Sequence, residues 1–387
     1  METKITTVIE KLEAFLNKLY EFRYNSLENR IEFKTLEGEM FEQLDEYNLN
    51  SILRNLKKAK FKIVRQELTQ LLISDFVKSY NPLNEYFKRL PEWTVDMPDY
   101  IAQLSQTVTV DEETRDRWNN YLRKWLIGTV ACALSPDHVN QTVLVFVGNQ
   151  GLGKTKWMDK LVPQQLASYY FSGTINPGDK DTKINLSECF LINLDELENL
   201  NKSKLGTLKQ LITESSIRLR RPYAPAAEKM PRRASFMGSV NNVEFLRDDT
   251  GNRRFLCVET TAIHHEHTID MNLVYAQAYS LFQMRERYWF TYEENCAISE
   301  YNERFKAQFF EIEIVNKYYE PCLDGEPDKI LTIDGLLKDL ATKGHKSHDL
   351  NQTSLGKAMM ASSFKKTRTK KDGRWLYRLK AREKEQA

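Results

Sequence analysis

The sequence predicts an α/β protein of three parts: an α-rich N-terminal region carrying a β-hairpin, a central α/β domain, and a C-terminal winged-helix-like domain. Three observations predict it. Apolar runs of buried-strand type recur through the middle of the chain, at Thr142–Val147, Cys189–Leu194 and Ala234–Val240. Only Gly38 and Gly128 precede residue 148, and then Gly148, Gly151 and Gly153 cluster at the end of the first run. From Ala341 to Ala387 there are 13 Lys and Arg against 4 Asp and Glu, a local charge of +9 in a chain whose net charge is +2.

With 387 residues, 41% apolar and 11% aromatic, the chain is long enough for two or three domains and excludes a disordered class. Cys132, Cys189, Cys257, Cys296 and Cys322 are odd in number, scattered and never spaced Cys-x-x-Cys. That pattern argues against a disulfide framework or structural zinc and for a reducing cytoplasm. Met1 to Leu19 mixes Glu and Lys into its apolar residues, and the longest apolar run, Trp125–Leu134, is too short to cross a bilayer. Neither an export signal nor a membrane anchor is expected. The basic end reads as a contact for nucleic acid or another polyanion, with a solvated tail as the alternative.

Taken in order, Val8, Leu12, Phe15, Leu16 and Leu19 recur at helical spacing, and Phe22, Tyr24, Ile31 and Phe33 alternate around the turn Asn25–Asn29. Helices follow through Ile73, so residues 1–80 form the N-terminal region, a possible oligomerisation element. Residues 81–140 are a helical lead-in: Asp111 can cap a helix with the face Trp118, Leu122, Trp125, Leu126 and Val130, ending at Ser135-Pro136. Residues 141–319 form the central domain, helical again from Asp270 to Tyr319, and Glu320-Pro321 with the Gly325–Pro327 turn reads as a linker. In 329–387, Asp334 can cap one helix to Ala341 and Asn351 or Thr353 a second to Ala361. Phe364–Lys380 is a hairpin turning at Asp372-Gly373. Lys365, Lys366, Arg368, Lys370 and Lys371 make it a candidate DNA contact; a helical lid with solvated charges is the alternative.

The segment Gly148-Asn149-Gln150-Gly151-Leu152-Gly153-Lys154-Thr155 follows a strand and opens a helix, matching the phosphate-loop pattern G-x-x-x-x-G-K-[ST]. Glycines let backbone N–H groups turn toward phosphates, Lys154 can reach the β- and γ-phosphates of ATP, and Thr155 can place its hydroxyl on Mg²⁺. Asp195-Glu196 ends the second buried run, with Asp195 the metal candidate and Glu196 the general base. Asn241 ends the third, where a polar side chain can orient the attacking water. Arg253 and Arg254 stand at the head of the strand Phe255–Val258, and on alternating strand faces only one can point at a given site. Supplied by a neighbouring subunit, such an arginine stabilises transition-state charge and implies an oligomer. Each feature alone has an ordinary reading as turn, helix cap or salt bridge; their order favours a phosphate site. His264-His265-Glu266-His267 is set aside as a metal set because consecutive side chains diverge.

With these residues in view, the chain resembles the virulence-associated protein E family and, more distantly, superfamily-three helicases and the phage/plasmid primase family. The carriers are Gly148–Thr155, Asp195-Glu196, Arg221-Pro222-Tyr223 through Arg232 to Phe236, Asn241, and Gly251 to Phe255. The resemblance implies an AAA+ P-loop ATPase core, a hexameric or similar homo-oligomeric ring, and a hairpin before Asn241 that projects onto single-stranded or forked DNA. That hairpin would lie between Ile217 and Arg233, with Lys229 at its tip and Arg218, Arg220, Arg221 and Arg232 in support. Relatives often carry a primase domain upstream; its metal-binding residues are not found here, which implies a separate primase or a motor-only role. The expected function is an ATP-dependent DNA helicase or translocase of a phage or mobile element acting in replication. The alternatives are a non-unwinding ATPase switch that loads or regulates a DNA-bound partner, and a nucleotide-stabilised structural ring.

Overall fold

The computed structural model describes residues 7–382 apart from 177, 196, 198–201, 221–225, 247–250, 307–309, 323, 346–349 and 369–372. The chain divides into two compact units, Met1–Arg304 and Phe305–Ala387.

The first unit begins with α1 (Val8–Asn17), capped by a reciprocal Thr7–Glu10 box, then the hairpin β1 (Tyr20–Asn25) and β2 (Arg30–Thr35). Asn29, at φ 52°, closes its turn, a conformation asparagine tolerates. β3 (Glu42–Gln43), α2 (Glu46–Lys58), α3 (Arg65–Leu72) and β4 (Ser79–Tyr80) complete a sheet of order β3-β2-β1-β4 with helices packed on it. Leu16, Phe33, Ile52, Leu56, Leu68 and Leu72 form its core. The region is therefore mixed α and β, where the sequence suggested mostly helix: strands of two residues carry no period to read.

α4 (Pro82–Lys88), α5 (Tyr100–Gln106), β5 (Val108–Thr109) and α6 (Arg115–Leu134) follow. Asp111 opens a short 3-10 turn ahead of α6 and makes no side-chain cap bond, contrary to its expected capping role. The expected face of α6 is buried, and Trp125 donates from its indole to the Phe236 carbonyl at 3.0 Å. Leu83, Phe87, Ile101 and Leu104 share one core with the central strands, so the lead-in helices belong to the body of the central domain.

The body is a five-stranded sheet built from β6 (Val143–Val147), β7 (Tyr170–Gly173), β8 (Leu191–Leu194), β11 (Ser235–Val240) and β12 (Phe255–Glu259). Its order is β12-β6-β11-β8-β7 and every pairing is parallel. Parallel strands covered on both faces favour apolar residues on both sides, which explains why β6 is apolar throughout and why β8 and β11 are mostly so, with Asn193, Ser235 and Ser239 buried among apolar neighbours. α7 (Lys154–Lys160), α8 (Lys180–Glu188) and α9 (Lys202–Thr213) connect the strands, and β9 (Ser216–Leu219) with β10 (Glu228–Pro231) forms a separate antiparallel pair. β13 (Ala262–Ile263) pairs with β5, and α10 (Met271–Gln283) and α11 (Tyr292–Tyr301) close the unit.

The second unit contains α12 (Phe310–Tyr318), β14 (Tyr319–Pro321), β15 (Lys329–Leu331), α13 (Ile333–Thr342), α14 (Gln352–Ala361), β16 (Lys366–Arg368) and β17 (Trp375–Ala381). β17 pairs with the other three strands, and Leu336, Leu340, Leu355, Met359, Tyr377 and Leu379 fill the core. The boundary at 319 is thus displaced: α12 joins this unit, and Glu320-Pro321 is an edge strand rather than a linker. Thr332, not Asp334, caps α13, whereas Asn351 caps α14 as expected. Among the described residues no helix is long and apolar enough to cross a membrane.

Candidate nucleotide-binding site

β6 ends at Val147, and the chain turns at Gly148, where a side chain would stand 2.7 Å from the Thr260 carbonyl oxygen. Gly151 and Gly153 have φ of +87° and +81°, which only glycine adopts without strain. Gly153 is also the N-cap of α7, and a Cβ there would meet His265 Nδ1 at 2.5 Å. The loop is therefore shaped by backbone freedom and by two neighbours, Thr260 and His265. Asn149, Gln150 and Gly151 are exposed, Leu152 half-buried, and Thr155 lies half-buried in the first turn of α7.

Lys154 is 5% exposed, and its ammonium is held by polar groups. It donates to the Gly148 carbonyl at 2.7 Å, the Asn149 carbonyl at 2.8 Å and the Asn241 side-chain oxygen at 3.0 Å. The last contact follows from strand order. β11 lies between β6 and β8, so Asn241 leaves the sheet beside the loop and Asp195 leaves it one strand further on, roughly 10 Å from β6 at ordinary strand spacing. Gly238 allows the tight β11–β8 contact, since a Cβ there would lie 2.9 Å from the Leu194 carbonyl oxygen. Asp195 is half-buried and accepts from Ser172 Oγ at 3.3 Å. Glu196 lies outside the described residues.

The residues present fit Mg²⁺ and a nucleoside triphosphate by their donor chemistry. The loop is a cradle that a Cβ at Gly148 or Gly153 would fill, and Lys154 and Thr155 after β6 and Asp195 after β8 lie at the same edge of the sheet. Among the described residues no group of three or more His, Cys, Asp or Glu could hold a metal ion unaided.

Arg253 and Arg254 stand elsewhere. They occupy a 3-10 turn before β12, whose first residue pairs with Val143 at the start of β6. That places them on the opposite rim, roughly 16 Å from the loop along a five-residue strand. Gly251, at φ +72°, starts the turn, and buried Asn252 is held by Lys209 and Asn302. Being in a turn and not a strand, both arginines line one cavity of about 630 Å³ together with Asn140, Thr213, Tyr288 and Trp289. The expectation that only one could face a given site is corrected. Neither has an ion-pair partner among the described residues, Arg254 Nε is buried without an acceptor, and burial, with the charge of Arg253, pushes the Arg254 pKa down.

The basic hairpin forms as β9–β10, with Arg218 opposite Lys229. Alternation buries Ile217, Leu219 and Met230 and exposes Arg218, Arg220 and Lys229. Arg232 is a correction: it is wholly buried and donates to the carbonyls of Glu214, Ala234, Asn140 and Ile212 at 2.9, 2.6, 2.8 and 3.0 Å. It ties three segments together and offers nothing to DNA. In the second unit Lys365 pairs with Asp324 at 3.7 Å, and Lys366 and Arg368 lie on β16. Arg221, Lys370 and Lys371 lie outside the described residues.

Sequence reasoning missed His265, Thr260 and Ser172. Nothing local marks that role, because Thr260 and Ser172 arrive through the parallel pairings of β12 with β6 and β7 with β8, and His265 through the segment after β13. His267, two residues on, is buried with both ring nitrogens unpartnered, and burial pushes its pKa down.

The Virulence-associated protein E-like domain model matches residues 88–307. No curated protein matches. Among solved structures, one described as the apo structure of NrS-1 C terminal region is 12% identical, with a TM-score of 0.48 and coverage of 98% of this chain and 100% of that one. An A form apo structure of the same region is 13% identical, with a TM-score of 0.46 and coverage of 94% and 98%. The matched stretch runs from the lead-in helices through the phosphate-type loop, Asp195, Asn241 and the arginine turn, and takes in more than half of the chain. The chain belongs to the virulence-associated protein E-like domain family.

Proposed function

We propose that the protein is a Mg²⁺-dependent ATPase of the AAA+ type that acts on single-stranded or forked DNA as a homo-oligomeric, ring-shaped helicase or translocase in the replication of a phage or other mobile element. The observation that carries the reading is the Lys154–Asn241 hydrogen bond at the edge where β6, β11 and β8 end. It joins the phosphate-gripping lysine to a polar side chain that can also hold a water. Ligands of parallel α/β sheets bind at the carboxyl ends of the strands, and here Lys154, Asn241 and Asp195 all gather there.

In this reading Lys154 exchanges loop carbonyls for the β- and γ-phosphate oxygens of ATP, which its mobile ammonium can do without leaving the loop. Thr155 and Asp195 would hold Mg²⁺, which when bound would neutralise developing phosphate charge. Glu196 takes the proton of the attacking water and Asn241 orients that water. Arg253 and Arg254, on the far rim, serve the nucleotide of an adjoining copy. Hydrolysis moves Arg218, Arg220 and Lys229 of the hairpin along the phosphodiester backbone.

The test is ATP turnover by the full chain and by Lys154→Ala, with and without single-stranded DNA, on protein of measured oligomeric mass. Turnover that DNA stimulates and Lys154→Ala abolishes supports the motor. Turnover indifferent to DNA points instead to a switch that loads or regulates a partner, and no turnover to a structural ring.

A further inference from the structure

The second unit carries an aromatic side chain that its core does not use. Along β17, Tyr377 and Leu379 are buried, and the two-residue period puts Trp375 on their side of the strand. Trp375 nevertheless lies 37% exposed, at the end of the strand nearest the hairpin turn. Arg368 is its cross-strand partner and Lys366 is the partner of Tyr377, so both cations share that face. Their charged groups stand 5.8 and 5.6 Å from the indole centroid.

Both cations are held by backbone carbonyls. Lys366 donates to the Met360 carbonyl at the end of α14 at 3.0 Å, and Arg368 Nε donates to the Gly373 carbonyl at 2.9 Å. Neither has a carboxylate partner among the described residues. The surrounding segment is strongly basic, and Met360 adds a second exposed apolar side chain.

A lone surface tryptophan needs no explanation. One flanked by two cations that pair with no carboxylate among the described residues, on a basic hairpin, calls for a partner that offers flat apolar faces and negative charge in the same short span. Duplex DNA offers the charge but keeps its base faces stacked inside; a single strand offers both. We propose that Trp375 is a base-stacking platform for single-stranded DNA, with Lys366 and Arg368 holding the phosphates on either side of the stacked base. The inference rests on the DNA-binding part of the proposed function and not on its ATPase part.

The experiment measures binding of an oligothymidylate, and of a duplex of equal length, to the full-length protein. Trp375→Ala should weaken single-strand binding by about ten-fold, Trp375→Phe should retain most of it, and Lys366→Ala should reduce the slope against log salt by about 0.7. The single strand should also quench tryptophan emission in the unaltered protein and not in Trp375→Phe, a readout that survives if the alanine variant fails to fold. Equal quenching in both, unchanged affinity in Trp375→Ala, or duplex bound as tightly as single strand would overturn the proposal. ATP turnover without DNA separates the two readings. Full turnover with unimpaired binding by Trp375→Ala sinks the platform alone, whereas binding through Trp375 without any turnover sinks the motor and leaves the platform standing.

Discussion

Lys154 and Arg232 are both buried cations held by backbone carbonyls, at opposite rims of the same parallel sheet, and their surroundings give them opposite roles. Arg232 is saturated: its guanidinium reaches four carbonyl groups from α9 and the residue after it, the loop before β6 and its own segment, with no exposed surface left. Its fixed fork suits that task, and removing it would strand several buried acceptors. Lys154 instead binds two carbonyls of its own loop and the exposed Asn241, at the carboxyl edge of the sheet. A cation that can trade its partners at an accessible edge is suited to a ligand. One whose partners are all fixed and interior is suited to folding.

The largest effect expected from this contrast is on stability at Arg232. Arg232→Ala should cost about 3 kcal/mol or more, because buried carbonyls lose their donor, and Arg232→Lys should recover only part of it. Chemical denaturation measures both, and an alanine variant as stable as the parent but defective in DNA binding would return Arg232 to the nucleic-acid face. At the other rim, the glycines sharpen the comparison. Gly153→Ala meets both a left-handed backbone and His265, and should abolish nucleotide binding. Gly151→Ala has open space around it and should cost only about 1–2 kcal/mol of backbone strain, with binding weakened less. Similar nucleotide affinities for the two variants would show that His265 does not shape the loop.

Arg253 and Arg254 test whether the two rims cooperate across copies. Arg253→Ala and Arg254→Ala should lower turnover by about a thousand-fold while leaving nucleotide affinity within roughly three-fold. A matching loss of affinity would mean that the arginines shape their own subunit's loop. The smallest expected effect lies on the hairpin. Arg218→Ala or Lys229→Ala should leave the melting temperature unchanged and weaken single-strand binding by a few-fold, with the salt slope falling by about 0.7 per charge removed. Equal slopes for parent and variants would take the hairpin off the DNA path.

The strands beside the candidate site were legible because burial on both faces favours mostly apolar runs, and the loop because its glycines interrupt a long glycine-poor stretch. The parts that were not legible depend on distant residues. Arg232 sits in a basic run that reads as one charged face, yet one of its acceptors lies 92 residues away and another 20. β3, β4, β5 and β13 are two residues long and exist only through their pairing partners. The arginine pair was misread for the same reason: a 3-10 turn set by Gly251 and the buried Asn252 replaces the strand face that alternation suggests. His265 reaches the loop only because β13 pairs with β5 and folds the segment back over Gly153.

The most direct test of a phosphate-binding role at the Lys154 rim is the affinity for Mg-ATP, measured by titration calorimetry on the unaltered protein, Lys154→Ala and Asp195→Ala. Lys154→Ala should bind at least about thirty-fold more weakly, equivalent to about 2 kcal/mol, while unfolding in the absence of nucleotide at nearly the same temperature. Asp195→Ala should lose the Mg²⁺ dependence of binding. Equal affinities for all three proteins would contradict the assignment of this rim as the nucleotide site.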